Sequence, residues 1–480
     1  MEGYALIDTK ALRSKVLDLA IQGKLTEQLE SDGTAEELFA KIQEEKQRLI
    51  KEGMAKREKP LPPVSDEEIS FEVPNNWKLV RFSEIIKLQS GQDLTAQEYN
   101  DNNNGIPYIT GASNINTDGS LIINRWTETP KSVAEDGDIL ISCKGTVGKI
   151  TILHIDKVHI ARQIMGIKTF YISNGFVKMF MQSVVNGIKN AQKGLIPGIE
   201  RNDILSLAFP LPPFAEQKRI VERVEEIFKL LDTIDEAQEK YSADAEILKN
   251  KLISMGIQGK LTQQLESDGT AEVLFAQIQK EKQRLIKEGK IKKENPLPPV
   301  SDEEIPFEIS KSWKWYRLGE IVTVLGGKRI PAGRKLTSEN TGHKYIRVSD
   351  MKNRTVDTSG LLYVPEDIYP SISRYIINKE DVYITVAGTI GRIGTIPDEI
   401  DGANLTENAD RLVFNSLYKN WLVYCLSDDT VQKQIMFLTT QVAQPKLAIK
   451  KIQEFYIPLP PLAEQKRIAD KLDEILKVIG

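Results

Sequence analysis

Apolar residues recur every three or four positions over a long stretch in the middle of the chain. Polar residues fill most of the intervening positions, and the apolar members are Ile220, Val224, Ile227, Leu231, Ile234, Tyr241, Leu248, Leu252 and Met255. Gln238 and Ala245 occupy the two weak positions of the series. A period of 3.5 residues predicts one long helix over about 215–256 that carries a coiled-coil seam. A long amphipathic helix packed on its own domain is the alternative.

The two ends of the chain carry parts of the same pattern. Four apolar residues begin it near the C-terminus: Ile468, Leu472, Ile475 and Ile479. Three residues near the N-terminus match Leu248, Leu252 and Met255 at an offset of 236: Leu12, Val16 and Leu19. We therefore expect the N-terminal helix to complete the C-terminal one. This predicts two long antiparallel coiled-coil helical regions with a pseudo-two-fold, circular organisation.

The helical regions belong to an internal duplication. Residues 21–85 align without a gap to residues 257–321, with 48 identities over 65 positions. A second repeat reads PLPPFAEQKRI at 210–220 and PLPPLAEQKRI at 458–468. Each long repeat predicts a shorter helix, from Thr34 to Gly53 and from Thr270 to Gly289, which the following PLPPVSDEE run stops because proline cannot continue a helix.

The segments between the repeats, about 77–209 and 313–457, have diverged but keep a common skeleton. Both open on a tryptophan, Trp77 and Trp313, and the pair Tyr108-Ile109 corresponds to Tyr345-Ile346. GDILISCKGTVGKI (137–150) corresponds to EDVYITVAGTIGRI (380–393), and each reads as a strand followed by a glycine turn. These segments are predicted to be two copies of one α/β domain.

Five regions follow from these patterns. They are an N-terminal helical region (1–76), a first α/β domain (77–213), a central helical region (214–312), a second α/β domain (313–461) and a C-terminal helix (462–480).

Composition excludes several classes of protein. Two cysteines and three histidines are too few for a disulfide framework or most metal chemistry. No apolar run reaches the roughly 18 residues of a membrane span, and the first twenty residues are too charged for a secretory signal. A cytoplasmic protein is expected. The net charge is −4, yet residues 81–208 hold 13 basic and 12 acidic residues and residues 317–455 hold 18 and 16, so the acidity lies in the helical regions.

The glycine turns are the first candidate contacts with a polyanion. Gly145–Lys149 and Gly388–Arg392 each combine two glycines, which let a backbone approach a phosphate, with a terminal cation. The candidate residues are Lys144, Thr146, Lys149, Thr389 and Arg392. The alternative is a tight turn between strands with a surface cation.

Side chains suited to reading bases follow each turn. The segments are His159–Gln163 and Asn404–Asn408. Arginine reads guanine, and glutamine or asparagine reads adenine, by paired hydrogen bonds in the major groove. The candidates are Arg162, Gln163, Asn404 and Asn408, and ordinary surface polarity is the alternative.

Further cations are candidates for phosphate contacts. Those of the second domain precede or follow Tyr345-Ile346 in sequence: Lys328, Arg329, Arg334, Lys335 and Arg347. Lys193 and Lys446 stand shortly before the two PLPP runs. Such residues position a protein on a nucleic-acid backbone, or they are merely solvated.

Enzyme motifs are weak or absent. Gly23-Lys24-Leu25-Thr26 has no glycine five residues upstream and lacks the hydroxyl residue that a phosphate loop places after lysine. Asp203 with Glu216 and Lys218 has the acid–x–Lys spacing of some nucleases, but Lys451 replaces the aspartate in the second copy. Neither PLPP run has the acidic or amide first residue of a methyltransferase tetrapeptide.

The whole arrangement resembles the specificity subunit of type I restriction–modification systems. The resemblance rests on two diverged domains with a G-T-V/I-G turn, on two PLPP-x-AEQKRI runs and on the split terminal helix, and it covers essentially the full length. It implies a non-catalytic chain whose two target recognition domains each read one half of a bipartite DNA site. Because the domains have diverged, the site should be asymmetric.

The resemblance also implies partners. The helical regions should set the gap between half-sites and bind two methyltransferase subunits, which methylate adenine with S-adenosylmethionine. Restriction subunits should join and cleave DNA with ATP. No cofactor is expected in this chain; S-adenosylmethionine, ATP and magnesium belong to the partners. The alternatives are a two-domain protein scaffold that does not touch DNA and a stand-alone nuclease or methylase.

Overall fold

The structure is a computed structural model that describes residues 6–53, 60–191, 198–439 and 445–479. The chain divides into two units, Leu6–Glu239 and Lys240–Gly480. Over the described ranges, no helix has both the length and the hydrophobicity that crossing a bilayer requires.

The first unit contains helical segments at its two ends and strands between them. In chain order the elements are α1 (Thr9–Ile21), α2 (Ala35–Lys51), β1 (Lys78–Arg81), α3 (Phe82–Ile85), β2 (Ile86–Ser90), β3 (Ile106–Ile109), β4 (Trp126–Thr127), β5 (Val133–Glu135), β6 (Ile139–Ser142), β7 (Ile150–Ile152), β8 (Lys157–Ile160), β9 (Ile164–Thr169), α4 (Asn174–Ala191), α5 (Arg201–Leu205), β10 (Ala208–Leu211) and α6 (Phe214–Ile257), whose last part belongs to the second unit.

The second unit repeats this order with additional short strands and helices. Its further elements are α7 (Ala271–Lys287), β11 (Lys314–Arg317), α8 (Leu318–Ile321), β12 (Thr323–Gly326), β13 (Lys344–Ile346), β14 (Met351–Lys352), β15 (Thr355–Val356), β16 (Leu362–Tyr363), α9 (Tyr369–Ile372), β17 (Ile376–Ile377), β18 (Val382–Thr385), β19 (Ile393–Gly394), β20 (Ala403–Leu405), β21 (Ala409–Val413), α10 (Lys419–Ser427), α11 (Asp429–Thr439), α12 (Ile449–Glu454), β22 (Tyr456–Leu459) and α13 (Leu462–Ile479).

The two diverged segments share the topology of three sheets, and the second has an additional two-stranded sheet, β14-β15. In the first, the strand orders are β2-β9-β6-β7, β4-β3-β8-β5 and β1-β10; in the second they are β12-β21-β18-β19, β16-β13-β20-β17 and β11-β22. The parallel pairs are also equivalent, since Tyr108 is opposite His159 on β3 and β8 and Tyr345 is opposite Asn404 on β13 and β20. The prediction of two copies of one α/β domain is confirmed.

Each domain closes on itself through its two ends. Strand β1 pairs with β10, so the segment after the N-terminal helical region lies beside the first PLPP run. Strand β11 pairs with β22 in the same way, beside the second PLPP run. Arg81 of β1 is buried and donates to the Pro62 and Pro63 carbonyls and to Glu68 of the proline-rich linker. Arg317 repeats this arrangement with Pro298, Pro299 and Glu304. The duplicated PLPPVSDEE run is therefore an integral part of each domain surface.

The long central helix is confirmed, and its seam is confirmed in part. Ile220, Val224 and Leu231 are buried, at 0, 2 and 5% exposure. The seam prediction is wrong at Tyr241 and Leu248, which are 48 and 46% exposed.

At the end of α6 the buried face passes through Ile253 and Ile257 instead, because these side chains join the core of the second unit. Leu12, which the repeat offset matched to Leu248, is likewise 42% exposed. The apolar core of the domain, rather than a uniform 3.5-residue seam, sets the buried face at these ends.

The terminal helices pack on α6 within their own units. In the first unit, Arg13 of α1 donates to Asp232 and Asp235 of α6 at 2.8 and 2.9 Å. In the second unit, Gly256 of α6 lies against Ile468 and Leu472 of α13. Both terminal helices thus contact the central helix, as the split heptad pattern predicts.

Candidate nucleic-acid interface

Five loops of the first domain meet at one edge of its sheets. The Gln92 N–H donates to the Ile160 carbonyl, Ala161 N–H to Ile109, Cys143 N–H to Gln163 and Ile199 N–H to Cys143, at 2.8–2.9 Å. These bonds join the loops at 91–93, 109–111, 143–148, 161–163 and 198–199, which we call the first loop edge.

The second domain has an equivalent edge. Lys328 N–H donates to the Leu405 carbonyl, Val386 N–H to Asn408 and Leu447 N–H to Val386, at 2.7–2.9 Å, and Thr406 N–H donates to Ile346 at 3.2 Å. The second loop edge therefore consists of residues 327–329, 346–348, 386–391, 406–408 and 446–447. A sheet whose strands end together presents several loops to one ligand, as this arrangement does.

The G-T-V/I-G turns have one geometry in both domains. The Ser142 hydroxyl donates to the Thr146 carbonyl and accepts from the Lys149 N–H; Thr385 makes the same two bonds with Thr389 and Arg392. Gly145 and Gly148 have φ of +72° and +81°, a conformation that disfavours any residue with a Cβ. The turn is thus held rigid from inside, with the segment 144–146 exposed.

The cation that ends each turn is anchored within its own domain. Lys149 Nζ donates to the Ile115 carbonyl at 2.5 Å, and Arg392 Nη1 donates to the Met351 carbonyl at 3.0 Å. Ile115 and Met351 each follow an equivalent 3₁₀ turn. These contacts give Lys149 and Arg392 a structural task in tying the turn to the neighbouring loop, which the sequence analysis did not foresee.

The structure brings most of the remaining candidates to the loop edges. In the first domain the exposed ones are Lys144, Thr146, Arg162 and Gln163. In the second domain they are Lys328, Arg329, Thr389 and Lys446, with Asn408 half-buried among them. Each edge thus presents cations together with side chains able to read bases.

Asn404 cannot serve as a base contact in this arrangement. It is 2% exposed, and its Nδ2 donates to the Ile372 and Tyr375 carbonyls at 2.9 and 3.3 Å. The residue lies on β20 opposite Tyr345, inside the sheet rather than in the loop beyond it. Asn404 is therefore removed from the candidate set, and its counterpart His159 is fully buried as well.

Three further candidates of the second domain, Arg347, Arg334 and Lys335, lie outside the second loop edge or form ion pairs within the domain. Arg347 forms a two-bond pair with Asp350, at 2.7 and 3.0 Å, and also donates to the Gly360 carbonyl. Arg334, on the loop that follows Arg329 in sequence, forms an ion pair with Asp367. The next residue, Lys335, is exposed. Lys193 lies outside the described residues.

Two acidic residues at the loop edges were not predicted. Asp93 lies 2.7 Å from Arg162 Nε, and Glu407 lies 2.5 Å from Arg329 Nε. Partial burial is the largest single effect on Glu407 and opposes its ionisation, but the hydrogen bonds from Arg329, from its own backbone N–H and from Thr406, with the charge of Arg329, together outweigh burial, so the pKa of Glu407 is lowered. The sequence did carry a signal, because SGQD at 90–93 and GGKR at 326–329 share the glycine that contacts the loop at 161 or 406.

The AEQKRI runs have structural roles at the start of each long helix. Glu216 is fully buried and accepts from Trp77 Nε1 at 2.9 Å and Gln28 Nε2 at 3.0 Å; Glu464 accepts from Trp313 and Gln264 at 2.8 and 2.9 Å.

Arg219 pairs with Asp32, and Arg467 with Asp268. A buried glutamate held by a tryptophan and a glutamine fixes the connector to its domain and has no access to a DNA strand. The acid–x–Lys spacing therefore does not form a nuclease site.

Comparison with known families decides the class of the molecule. The model of the type I restriction modification DNA specificity domain matches residues 74–241 and again residues 310–479, more than half of the chain. The chain belongs to the type I restriction–modification DNA specificity family. Each match contains one α/β domain with its loop edge and all or part of the helix that follows it. The two matched specificity domains are therefore the two domain copies of the structure.

Curated relatives extend the match to nearly the whole chain. The type I restriction enzyme EcoAI specificity subunit of Escherichia coli is 27% identical over 98% of this chain and 90% of that protein. The EcoEI specificity subunit of the same organism is 26% identical with the same coverage.

A solved structure described as concerning complex assembly and conformational transition of the type I restriction–modification system has a TM-score of 0.61. It is 19% identical to this chain, over 85% of this chain and 92% of its own. The fold of this chain is thus the fold of the specificity family, and the family is one of DNA recognition rather than catalysis.

Proposed function

We propose that each specificity domain reads one half of an asymmetric bipartite DNA site through its loop edge, while the helical regions hold the gap between the half-sites. The single observation that supports this most strongly is that the two domains share their backbone architecture but differ in the side chains of their loop edges. The two domains share the strand order of three sheets, the turn geometry and the contacts with the helical regions, whereas the side chains at the equivalent positions 162–163 and 407–408 differ. They are Arg-Gln, both exposed, in the first domain and Glu-Asn, both half-buried, in the second. Two similar frames with different reading side chains serve two different sequences.

The contact residues follow from exposure at the edges. For the first half-site they are Lys144, Thr146, Arg162 and Gln163, and for the second Lys328, Arg329, Thr389, Asn408 and Lys446. Arg334, Lys335 and Arg347 are secondary positions for the phosphate backbone, and Lys149 and Arg392 act mainly through the shape of the turns. Side chains to phosphates fix register, and side chains to base edges carry the sequence information.

The charge of the domains supports a role for partners in DNA affinity. An excess of only one or two positive charges in each domain releases few counterions, so the isolated chain should bind DNA weakly. We propose that two methyltransferase subunits supply further phosphate contacts and that restriction subunits complete the assembly. S-adenosylmethionine, ATP and magnesium belong to those subunits, and the complex acts in the cytoplasm, where its DNA is.

The helical regions are the proposed docking surface for the methyltransferase subunits. Leu230 of α6, in the first unit, and Ile247, in the second, are 65 and 66% exposed although both are large and apolar. We propose that these two side chains contribute apolar contacts to that docking surface. The domain boundaries at 1–76, 77–213, 214–312, 313–461 and 462–480 are proposed on this division of labour.

Mapping of adenine methylation tests the proposal. In cells that contain the chain and its methyltransferase subunits, methylated adenines should lie in two different short sequences separated by a constant gap. The purified complex should bind that site in preference to others, with strong dependence on salt. A complex that assembles normally but neither binds DNA nor directs methylation would instead support a protein scaffold, the alternative that the specificity family makes unfavourable.

A further inference from the structure

The two loop edges contain the same ion pair with its charges reversed. In the first domain, Asp93 of the 91–93 loop pairs with Arg162 of the 161–163 loop. In the second domain, the residue on the equivalent first loop is Arg329 and its partner on the second loop is Glu407. The reversal is between equivalent positions, because Gln92 N–H and Lys328 N–H donate to the equivalent carbonyls of Ile160 and Leu405.

A close backbone approach fixes the two loops against each other. A Cβ on Gly91 would lie 2.0 Å from the Ala161 carbonyl oxygen, and a Cβ on Gly327 would lie 2.0 Å from that of Thr406. Only glycine fits at such distances. The residues two positions after each glycine, Asp93 and Arg329, are therefore delivered to the same place in both domains.

The guanidinium groups of these pairs remain accessible. The side chains of Arg162 and Arg329 are 71 and 73% exposed, and each meets its carboxylate through Nε. Each of these contacts involves Nε rather than a terminal Nη group. An exposed ion pair contributes little to stability, so its occurrence in both domains calls for another role.

Arg329 Nε donates to Glu407 at 2.5 Å. In the first domain Asp93 accepts from the Arg162 backbone N–H at 3.1 Å and lies 2.7 Å from Arg162 Nε. A carboxylate held beside the guanidinium group limits the rotamers that the arginine samples. A planar fork held in one direction matches the O6 and N7 acceptors of guanine, which accept two parallel hydrogen bonds from arginine. The neighbouring amides, Gln163 in the first domain and Asn408 in the second, suit the adjacent base pair.

We infer that Arg162 and Arg329 are the guanine-reading residues of the two domains, and that Asp93 and Glu407 are their positioning residues. The inference rests on the proposed function and adds the base class and the residue that reads it. Because the arginine comes from the second of the two loops in the first domain and from the first loop in the second domain, the guanine occupies a different place relative to the domain frame in each half-site. Reversing the pair is therefore a way to change the sequence read without changing the fold.

Binding of a library of DNA sites by the complex with its methyltransferase subunits tests the inference. Arg162→Ala should abolish the preference for guanine at one position of one half-site, with a loss of discrimination of roughly 5- to 150-fold, and leave the other half-site unchanged. Arg329→Ala should do the same in the other half-site only. Asp93→Asn should lower the discrimination at the Arg162 position by less than Arg162→Ala does.

A reversed variant sharpens the test. Asp93→Arg combined with Arg162→Glu gives the first domain the arrangement of the second, and guanine discrimination should return at a shifted position of the same half-site. Lys168→Ala is the control, since Lys168 also forms a surface ion pair in this domain, with Glu135 at 2.6 Å, but on strands β9 and β5 rather than at the loop edge. It should leave every base preference unchanged, and melting temperatures should show that all variants are folded.

Three results would overturn the inference. One is a loss of affinity by Arg162→Ala that is equal for all sequences, with a salt slope lower by about 0.9, since that marks a phosphate contact. Another is a preference for guanine that survives Arg162→Ala. The third is a folded reversed variant that regains no discrimination. In each case the wild-type complex still reads a bipartite site, whereas a wild-type complex without any sequence preference would contradict the proposed function itself.

Discussion

Gly148 lies so close to Val185 that a Cβ on the glycine would stand 2.3 Å from Val185 Cγ1. The equivalent contact in the second domain is looser, because a Cβ on Gly391 would stand 3.1 Å from Gln432 Oε1 and 3.3 Å from Ile435 Cγ2. Packing on the helix behind the turn therefore requires glycine at 148, whereas at 391 it only disfavours a larger residue. The first glycine, Gly145 or Gly388, has no atom of the described residues within 4 Å of where a Cβ would lie and is required by its positive φ.

Substitution of the two glycines should therefore give unequal costs. Gly145→Ala should cost about 1–2 kcal/mol, the ordinary price of a left-handed conformation with a Cβ. Gly148→Ala should cost clearly more in the free energy of unfolding, because a backbone or helix shift must relieve the contact with Val185. Urea unfolding of the two variants measures this difference, and equal costs would contradict the packing role.

Leu231 and Leu230 provide a matched pair on the central helix. Leu231 is 5% exposed and Leu230 is 65% exposed. Leu231→Glu should bury an uncompensated charge and lower the free energy of unfolding by several kcal/mol, on the order of 3, whereas Leu230→Glu should change it by less than about 0.5. Leu230→Glu should instead weaken binding of the methyltransferase subunits, measured by titration calorimetry. A stable Leu231→Glu variant that still assembles would count against the buried face of α6.

Glu216→Gln separates the structural role of the AEQKRI run from a catalytic one. The carboxylate accepts from Trp77 and Gln28, so the amide should cost about 1.5–3 kcal/mol, the worth of hydrogen bonds to a charged group. Glu464→Gln should have a similar effect in the second unit, and Glu222→Gln, on an exposed position of α6, should have none. Thermal unfolding checks these values. Loss of DNA cleavage at unchanged stability would instead revive the acid–x–Lys interpretation.

Acid should weaken the connectors. Hydrogen bonds from Arg219 and Arg467 lower the pKa values of Asp32 and Asp268, and a hydrogen bond from Arg81 lowers the pKa of Glu68 to about 2. A carboxyl whose pKa is lower in the folded than in the unfolded chain adds stability above its ordinary pKa and loses it as the pH falls through the folded value.

The urea midpoint should therefore decrease as the pH falls from about 5 towards 2. Asp32→Asn should start from a lower midpoint and show a shallower decrease, because it has lost one of these carboxyls. Buried carboxyls with raised pKa, such as Asp410, act in the opposite direction in both chains, so the comparison between the chains is decisive: a decrease as steep in Asp32→Asn as in the wild-type chain would contradict the pairing of Asp32 with Arg219.

Much of the fold could be predicted because the chain contains its own internal alignment. The repeat of 65 residues and the two PLPP-x-AEQKRI runs placed the connectors and the domain frames, and periodicity placed α6 within two residues of its observed bounds. The predicted seam is wrong at Tyr241 and Leu248 because periodicity does not show which neighbouring element covers a helix face. Ile253 and Ile257 pack in the core of the second unit, yet in sequence they are no more apolar than the predicted seam residues.

The site was predictable as segments but not as individual roles. Glycine spacing located the turns. The candidate base-reading segments 159–163 and 404–408 were located by their position after each turn. Burial decided the rest, since Asn404 faces the inside of its sheet and Arg162 is exposed beyond the end of the equivalent strand. The pairing of Asp93 with Arg162 joins residues 69 positions apart. The glycine shared by SGQD and GGKR marks the two equivalent loops, but it does not reveal which residue of another loop each acidic or basic side chain contacts.

Replacement of residues 313–461 by a copy of residues 77–213 tests the central claim most directly. The frames are equivalent through Trp77 and Trp313, through Glu216 and Glu464 and through their shared strand order, so the duplicated chain should fold and assemble with methyltransferase subunits. Sequencing of methylated DNA from cells with this complex should show a palindromic site, the first half-site repeated in inverted orientation across the original gap. A methylated site that kept the original second half-site sequence would contradict the assignment of one half-site to each domain.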